Sequence, residues 1–278
     1  MTEFLAVEGG TIAYEVRGAG PLVVLAHGMG DTRDAYRFVV PQLVAAGYRV
    51  ATADLRGCGD SSAKWPSYSR TDIAGDLIAL IQHLGGPAVL VGHSISGGSA
   101  TIVAARAPEL IDGIVELAPF TRKLGISLSG LLRVKRYRAG AVRLLMTGIL
   151  GSANWWKKYL EVSYPGRRPA DWAEHLRLIE AALEEPGRMK AMQKMAQSAP
   201  TDAAAELGNV RCPVLIIEGS LDPDWVNPRA EGEAIVAAMP AGAARLEVIE
   251  GAGHYMHAQY PDETVALLRH FLEAYTRA

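Results

Sequence analysis

The stretch Val89-Leu90-Val91-Gly92-His93-Ser94-Ile95-Ser96-Gly97-Gly98 carries the strongest local signal for chemistry in the sequence. An apolar run leads into a serine that has a small residue two places away on either side, Gly92 and Ser96. A strand that turns at once into a helix crowds its own backbone, so both flanking positions must be small. The serine at the turn is then exposed at the carboxyl end of the strand. The amides that open the helix point at any anion developing beside that serine. A serine hydroxyl is a weak nucleophile at neutral pH and needs a base within hydrogen-bonding reach, oriented in turn by a third group. Seven histidines are available for that role. The plain alternative is a solvent-facing serine in a glycine-rich turn, and Ser94 alone does not decide between them.

The elements needed to hold such a turn are written around it. Residues 11–16, 22–26, 49–53, 88–91 and 113–117 read as strands, bracketed by glycine and proline. Between them, 34–46, 71–84 and 95–106 read as helices. Thr71 is the expected cap of the second, and Ile73, Leu77, Leu80, Ile81 and Leu84 form its apolar face. Strands apolar throughout and separated by helices imply a parallel sheet covered on both faces. The alternation resumes late, with strands at 214–217 and 246–249 and helices at 228–239 and 261–275; Pro228 and Pro261 suit the first turns of those helices. Over 121–201 it stops, and the pattern is mainly helical, with Trp155, Trp156 and Trp172 in it.

Gly92-His93-Ser94-Ile95-Ser96 resembles the nucleophile elbow of the α/β-hydrolase family, with Ser96 where the family's usual last residue is glycine. His27-Gly28-Met29-Gly30 is similar to the family's oxyanion loop. Asp54-Leu55-Arg56-Gly57-Cys58-Gly59-Asp60-Ser61 is similar to its loop after the next strand. The resemblance covers nearly all of the chain outside 121–201 and implies the chain order Ser, Asp, His. His254, in Gly251-Ala252-Gly253-His254 after a late strand, is then the expected general base. Asp222, in Glu218-Gly219-Ser220-Leu221-Asp222-Pro223, is the carboxylate expected to fix its tautomer, although a turn former ahead of Pro223 is the plain role for such an aspartate. Asp224, beyond the proline, is the nearest rival, and Glu116, within a strand, is another. Oxyanion donors are backbone amides: that of Ile95, after the nucleophile, and, by the resemblance, that of Met29. His93 is expected to be structural and His27 to shape the oxyanion loop. His83, His175 and His270 are expected at the surface or an interface, and His257 at the site entrance.

Bulk properties exclude several classes. A net charge of −2 argues against a nucleic-acid binder. Cys58 and Cys212, far apart, suggest neither a disulfide framework nor a zinc site and read as reduced, partly buried thiols. The start of the chain lacks a secretory pattern and no run is long enough to span a bilayer, so a cytoplasmic protein is expected. No GxGxxG follows the first strand and no Walker-type loop occurs. Residues 122–168 hold eleven Lys or Arg, Lys123 among them, against one acid, Glu161; this net +10 leaves −12 for the rest of the chain. Such a basic amphipathic segment offers a contact for an anionic substrate, an acyl carrier or a membrane. The favoured reading is that its apolar face covers a pocket while its charges are solvated.

The expectation is therefore a mostly parallel eight-stranded sheet with helices on both faces, its core formed by 1–120 and 202–278, and a helical cap at 121–201. The resemblance implies an acyl-enzyme on Ser94 formed from a carboxylic ester, thioester or lactone. No cofactor, metal or nucleic acid is expected to take part. An aspartate-nucleophile epoxide hydrolase or haloalkane dehalogenase is excluded by Ser94. C–C bond hydrolysis, cofactor-free perhydrolysis and a ligand-binding sensor remain alternatives on the same fold.

Overall fold

Strands buried on both faces read as unbroken apolar runs, and the most central ones here are Leu22–Ala26 (β3) and Ala88–His93 (β5), buried along their whole length. The computed structural model describes residues 1–122 and 125–276, so the expected cap residue Lys123 lies outside the described residues. Among these, Glu3–Val7 (β1), Gly10–Arg17 (β2), Arg49–Ala53 (β4), Ile111–Leu117 (β6), Val214–Gly219 (β7) and Ala244–Ile249 (β8) complete one sheet of eight strands. Its order is β1-β2-β4-β3-β5-β6-β7-β8. The β1/β2 and β2/β4 pairs are antiparallel and all the others parallel. Alternate residues of the central strands feed two cores. Val24, Leu90, Ile114 and Ile216 face one, and Val23, Val91, Val115 and Ile217 the other.

Helices Val40–Ala45 (α1), Arg70–His83 (α2) and Ile95–Arg106 (α3) belong to the first half of the chain. Three details differ from expectation. The sequence pattern missed β1, a half-exposed edge strand whose side chains need no strong alternation. The helix expected over 34–46 is a 3₁₀ turn, Arg33–Tyr36, followed by the short α1. Pro41 lacks an N–H and can sit only in a first turn, so the helix starts there. The cap of α2 is Ser69 and not Thr71: its hydroxyl accepts from the Asp72 amide at 3.1 Å, while the Asp72 carboxylate accepts from the Ser69 amide at 3.1 Å.

Between β6 and β7 the chain forms Leu128–Arg133 (α4), Lys135–Leu150 (α5), Ala153–Ser163 (α6), Trp172–Glu184 (α7), Arg188–Gln197 (α8) and Thr201–Glu206 (α9). Trp156, Tyr159 and Leu160 of α6 pack with Tyr164, Met192 and Tyr255 in a third cluster, which joins this segment to the C-terminal loop. Pro228–Ala238 (α10), Met256–Gln259 (α11) and Pro261–Tyr275 (α12) complete the chain, and Leu268 and Phe271 of α12 cover one sheet face. Among the described residues no helix is long and apolar enough to cross a membrane.

Candidate active site

Ser94 follows β5 with φ 55° and ψ −117°, a conformation that a non-glycine residue rarely adopts. The surroundings fix it. Its amide donates to the Leu117 carbonyl at 2.9 Å, and its carbonyl accepts from Gly97 at 3.0 Å and Phe120 at 3.1 Å. A Cβ at Gly92 would lie 2.2 Å from the Ser96 carbonyl oxygen, so only glycine fits there. Ser96, the departure from the family pattern, is buried, and its hydroxyl donates to the His27 carbonyl at 2.6 Å. The extra hydroxyl thus ties the elbow to the neighbouring loop instead of crowding it.

That loop lies against Ser94. A Cβ at Gly28 would meet the Ser94 Cβ at 3.1 Å and His93 Nδ1 at 2.7 Å, so glycine lets this loop approach the serine. Ile95 is the first residue of α3, so its amide is one of the four that have no acceptor within the helix. His27 shapes this loop as expected. Its Nε2 accepts from the Leu55 amide at 3.1 Å, so the proton sits on Nδ1, which donates to the Gly28 carbonyl at 2.7 Å.

His254 follows Gly253 in the loop after β8, and its amide donates to the Ser163 carbonyl at 3.0 Å. A Cβ at Gly253 would lie 2.1 Å from that same oxygen, which explains the glycine. The His254 ring stands 4.7 Å from the His93 ring and 5.8 Å from that of Phe120, centroid to centroid. The first belongs to the residue before Ser94, the second to the residue bonded to the Ser94 carbonyl. His93 Nε2 donates to the His254 carbonyl at 3.0 Å, which fits its expected structural role. Burial, with His257 and His254 nearby, holds the His93 pKa well below the usual histidine value.

The loop after β7 brings two carboxylates to one imidazole nitrogen. Asp222 Oδ2 lies 2.7 Å from His254 Nδ1 and Asp224 Oδ2 lies 3.4 Å from it. The rival acid is therefore present as well as the favoured one, whereas Glu116 is buried on β6 with Thr101 donating to it at 2.5 Å. Asp222 Oδ1 accepts from the Asp224 amide at 2.9 Å, and Asp224 Oδ2 accepts from the Tyr159 hydroxyl of α6 at 2.6 Å. Arg136 of α5 donates to the carbonyls of Asp222 and, at 2.8 Å, Trp225. Burial works against charge on His254, but Asp222 and Asp224 outweigh it and hold the pKa above the usual histidine value. Burial, with the Asp222 charge beside it, raises that of Asp224. Asp222, Asp224 and His254 are also the one group among the described residues whose ligand atoms, all within 4.8 Å, could hold a cation.

Two histidine expectations need correction. His257 is fully buried between Tyr36 (centroids 5.0 Å) and His93 (4.6 Å), so it lines no entrance. Packing has pushed its pKa down to about 3, chiefly through burial. His175 is buried near Trp172 and not at the surface, whereas His83 and His270 are exposed. Both cysteines are buried free thiols, Cys58 pushed up to about 12 and Cys212 to about 11, mainly by burial. Sequence reasoning missed Arg136, Tyr159 and Gln259. The last is a buried amide that accepts from the Gly253 amide at 2.7 Å and donates to the Pro165 and Arg167 carbonyls. Nothing in their local sequence marks these three.

A family model described as the alpha/beta hydrolase family matches residues 23–267. The chain is 27% identical to a 2-(acetamidomethylene)succinate hydrolase of Mesorhizobium japonicum, over 96% of this chain and 94% of that one. In fold it is similar to an esterase from Exiguobacterium antarcticum (TM-score 0.80, 22% identity, 98% of this chain and 100% of that one). It is likewise similar to an enol-lactonase from Burkholderia xenovorans (TM-score 0.77, 20% identity, 98% and 100%).

Proposed function

Because the chain belongs to the alpha/beta hydrolase family, we propose that it is a serine hydrolase that cleaves a carboxylic ester, thioester or lactone, with residues 121–201 as its cap. The observation that carries this reading is the buried His254–Asp222 pair at 2.7 Å, its imidazole 4.7 Å from the ring of His93, which immediately precedes a serine in a strained turn after β5. Ser94 Oγ attacks the carbonyl carbon while His254 Nε2 accepts its proton, Asp222 holding the other ring nitrogen. The oxyanion forms against the amides of Ile95 and Met29, each worth about 10²–10³ in turnover. Collapse expels the alcohol or thiol with the proton from the imidazolium, leaving an acyl group on Ser94. The same histidine then activates water to release the acid. This cycle uses side chains and amides alone.

A panel of p-nitrophenyl esters, thioesters and lactones tests the reading, with an N-acetyl enamide added because one relative is named for 2-(acetamidomethylene)succinate. Turnover that disappears in Ser94→Ala is the expected result. Turnover unchanged in that variant overturns it. No turnover together with tight binding of a small ligand favours a sensor on this fold.

A further inference from the structure

Helix α5 has two faces with different surroundings. The inner one touches the acid loop: Arg136 bonds to it, and a Cβ at Gly140 would lie 2.9 Å from Pro223. Lys135, Arg138, Val142, Leu145 and Ile149 follow one another at steps of three and four along the outer one, all exposed. Leu128 and Leu132, four residues apart on α4, the helix that precedes α5 and packs with it, are exposed as well. These five apolar side chains are between 47% and 80% exposed. The expectation that the segment's apolar residues face a pocket therefore fails for them.

Five large exposed apolar side chains on two adjoining helices mark a surface built to meet something. Its charge says what. Arg133, Lys135 and Arg138 border it, all exposed, and residues 122–160 contain no Asp or Glu. A second copy meeting this face through a two-fold axis would set cation against cation. A bilayer with anionic headgroups satisfies both features at once, with an apolar boundary for the leucines and negative charge for the cations. We propose that the outer face of α4 and α5 seats on an anionic lipid surface. The helices lie in the interface plane without spanning it, consistent with the 16-residue length of α5. The proposal does not depend on the catalytic reading.

Co-sedimentation of the full chain with vesicles tests it. Vesicles of phosphatidylcholine containing phosphatidylglycerol should pull the protein down, pure phosphatidylcholine vesicles should not, and salt should release it. The triple variant Leu132→Glu, Leu145→Glu, Ile149→Glu should abolish binding. Its far-UV circular dichroism and melting temperature should stay those of the parent, because the positions are exposed. Replacing Arg133, Lys135 and Arg138 by Gln should lower partitioning roughly 100-fold. Absence of binding to the anionic vesicles, equal binding to both lipids, or binding unchanged in both variants overturns the proposal. So does a dimer, seen by size exclusion, that the variants dissolve while vesicles never bind, because that assigns the face to a protein contact.

Discussion

The elbow around Ser94 and the loop around Asp222 are held by different means. The elbow is fixed by backbone geometry within the sheet: a positive φ, a glycine with no room for a Cβ, a hydrogen bond from the Ser94 amide to Leu117, and hydrogen bonds from Gly97 and Phe120 to the Ser94 carbonyl. The acid loop is held from outside the sheet, by the Arg136 guanidinium and the Tyr159 hydroxyl on two helices of the 121–201 segment. Ser94, the proposed nucleophile, is thus positioned by strain that admits no adjustment. The acid is positioned by side chains that tolerate graded change. A site built this way should fail abruptly on one side and gradually on the other.

The largest expected effect lies at the elbow. Ser94→Ala should lower kcat by roughly 10⁶ towards background, measured on the best ester of the panel. Gly92→Ala should do nearly as much without touching a reacting group, since its Cβ would sit 2.2 Å from the Ser96 carbonyl. Wild-type-like turnover in that variant, with an unchanged melting temperature, breaks the comparison. On the other side, Asp222→Asn should cost about 10⁴ in kcat.

Asp224→Asn sharpens the contrast. The proposed mechanism requires a neutral His254 as base, so activity should rise as the imidazole loses its proton, and its raised pKa should set the acid limb above the usual histidine value. Removing one of two carboxylates leaves the imidazolium less stabilised, so the acid limb of kcat/KM should move to lower pH. The plateau should change by less than about tenfold, well below the Asp222 effect. A limb that stays in place shows that Asp224 does not act on the base. The smallest effect is expected from Tyr159→Phe, which takes a donor from a buried carboxylate and should lower stability by about 1–3 kcal/mol with little change in kcat.

The same contrast explains what could be read from the sequence. The elbow, the parallel strands and the loops at Met29 and His254 are local patterns, and the fold pairs Asp222 with His254, whose ring lies 4.7 Å from that of His93, the residue before Ser94. Tyr159 and Arg136 reach the acid loop from 65 and 86 residues away, and no pattern at either position records that. The burial of His257 and His175 was equally invisible, because a histidine on a helix face looks the same whether water or Tyr36 lies beyond it. The β1 edge strand escaped because its half-exposed residues carry little hydrophobic signal.

The central claim is that the Ser94 hydroxyl is made nucleophilic by His254. Labelling with a fluorophosphonate probe and locating the adduct by peptide mass spectrometry tests it most directly. The account predicts a single phosphonylated residue, Ser94, with labelling lost in Ser94→Ala and slowed at least about 100-fold in His254→Ala. An adduct at another residue, or labelling of Ser94 at full rate without the histidine, would contradict it.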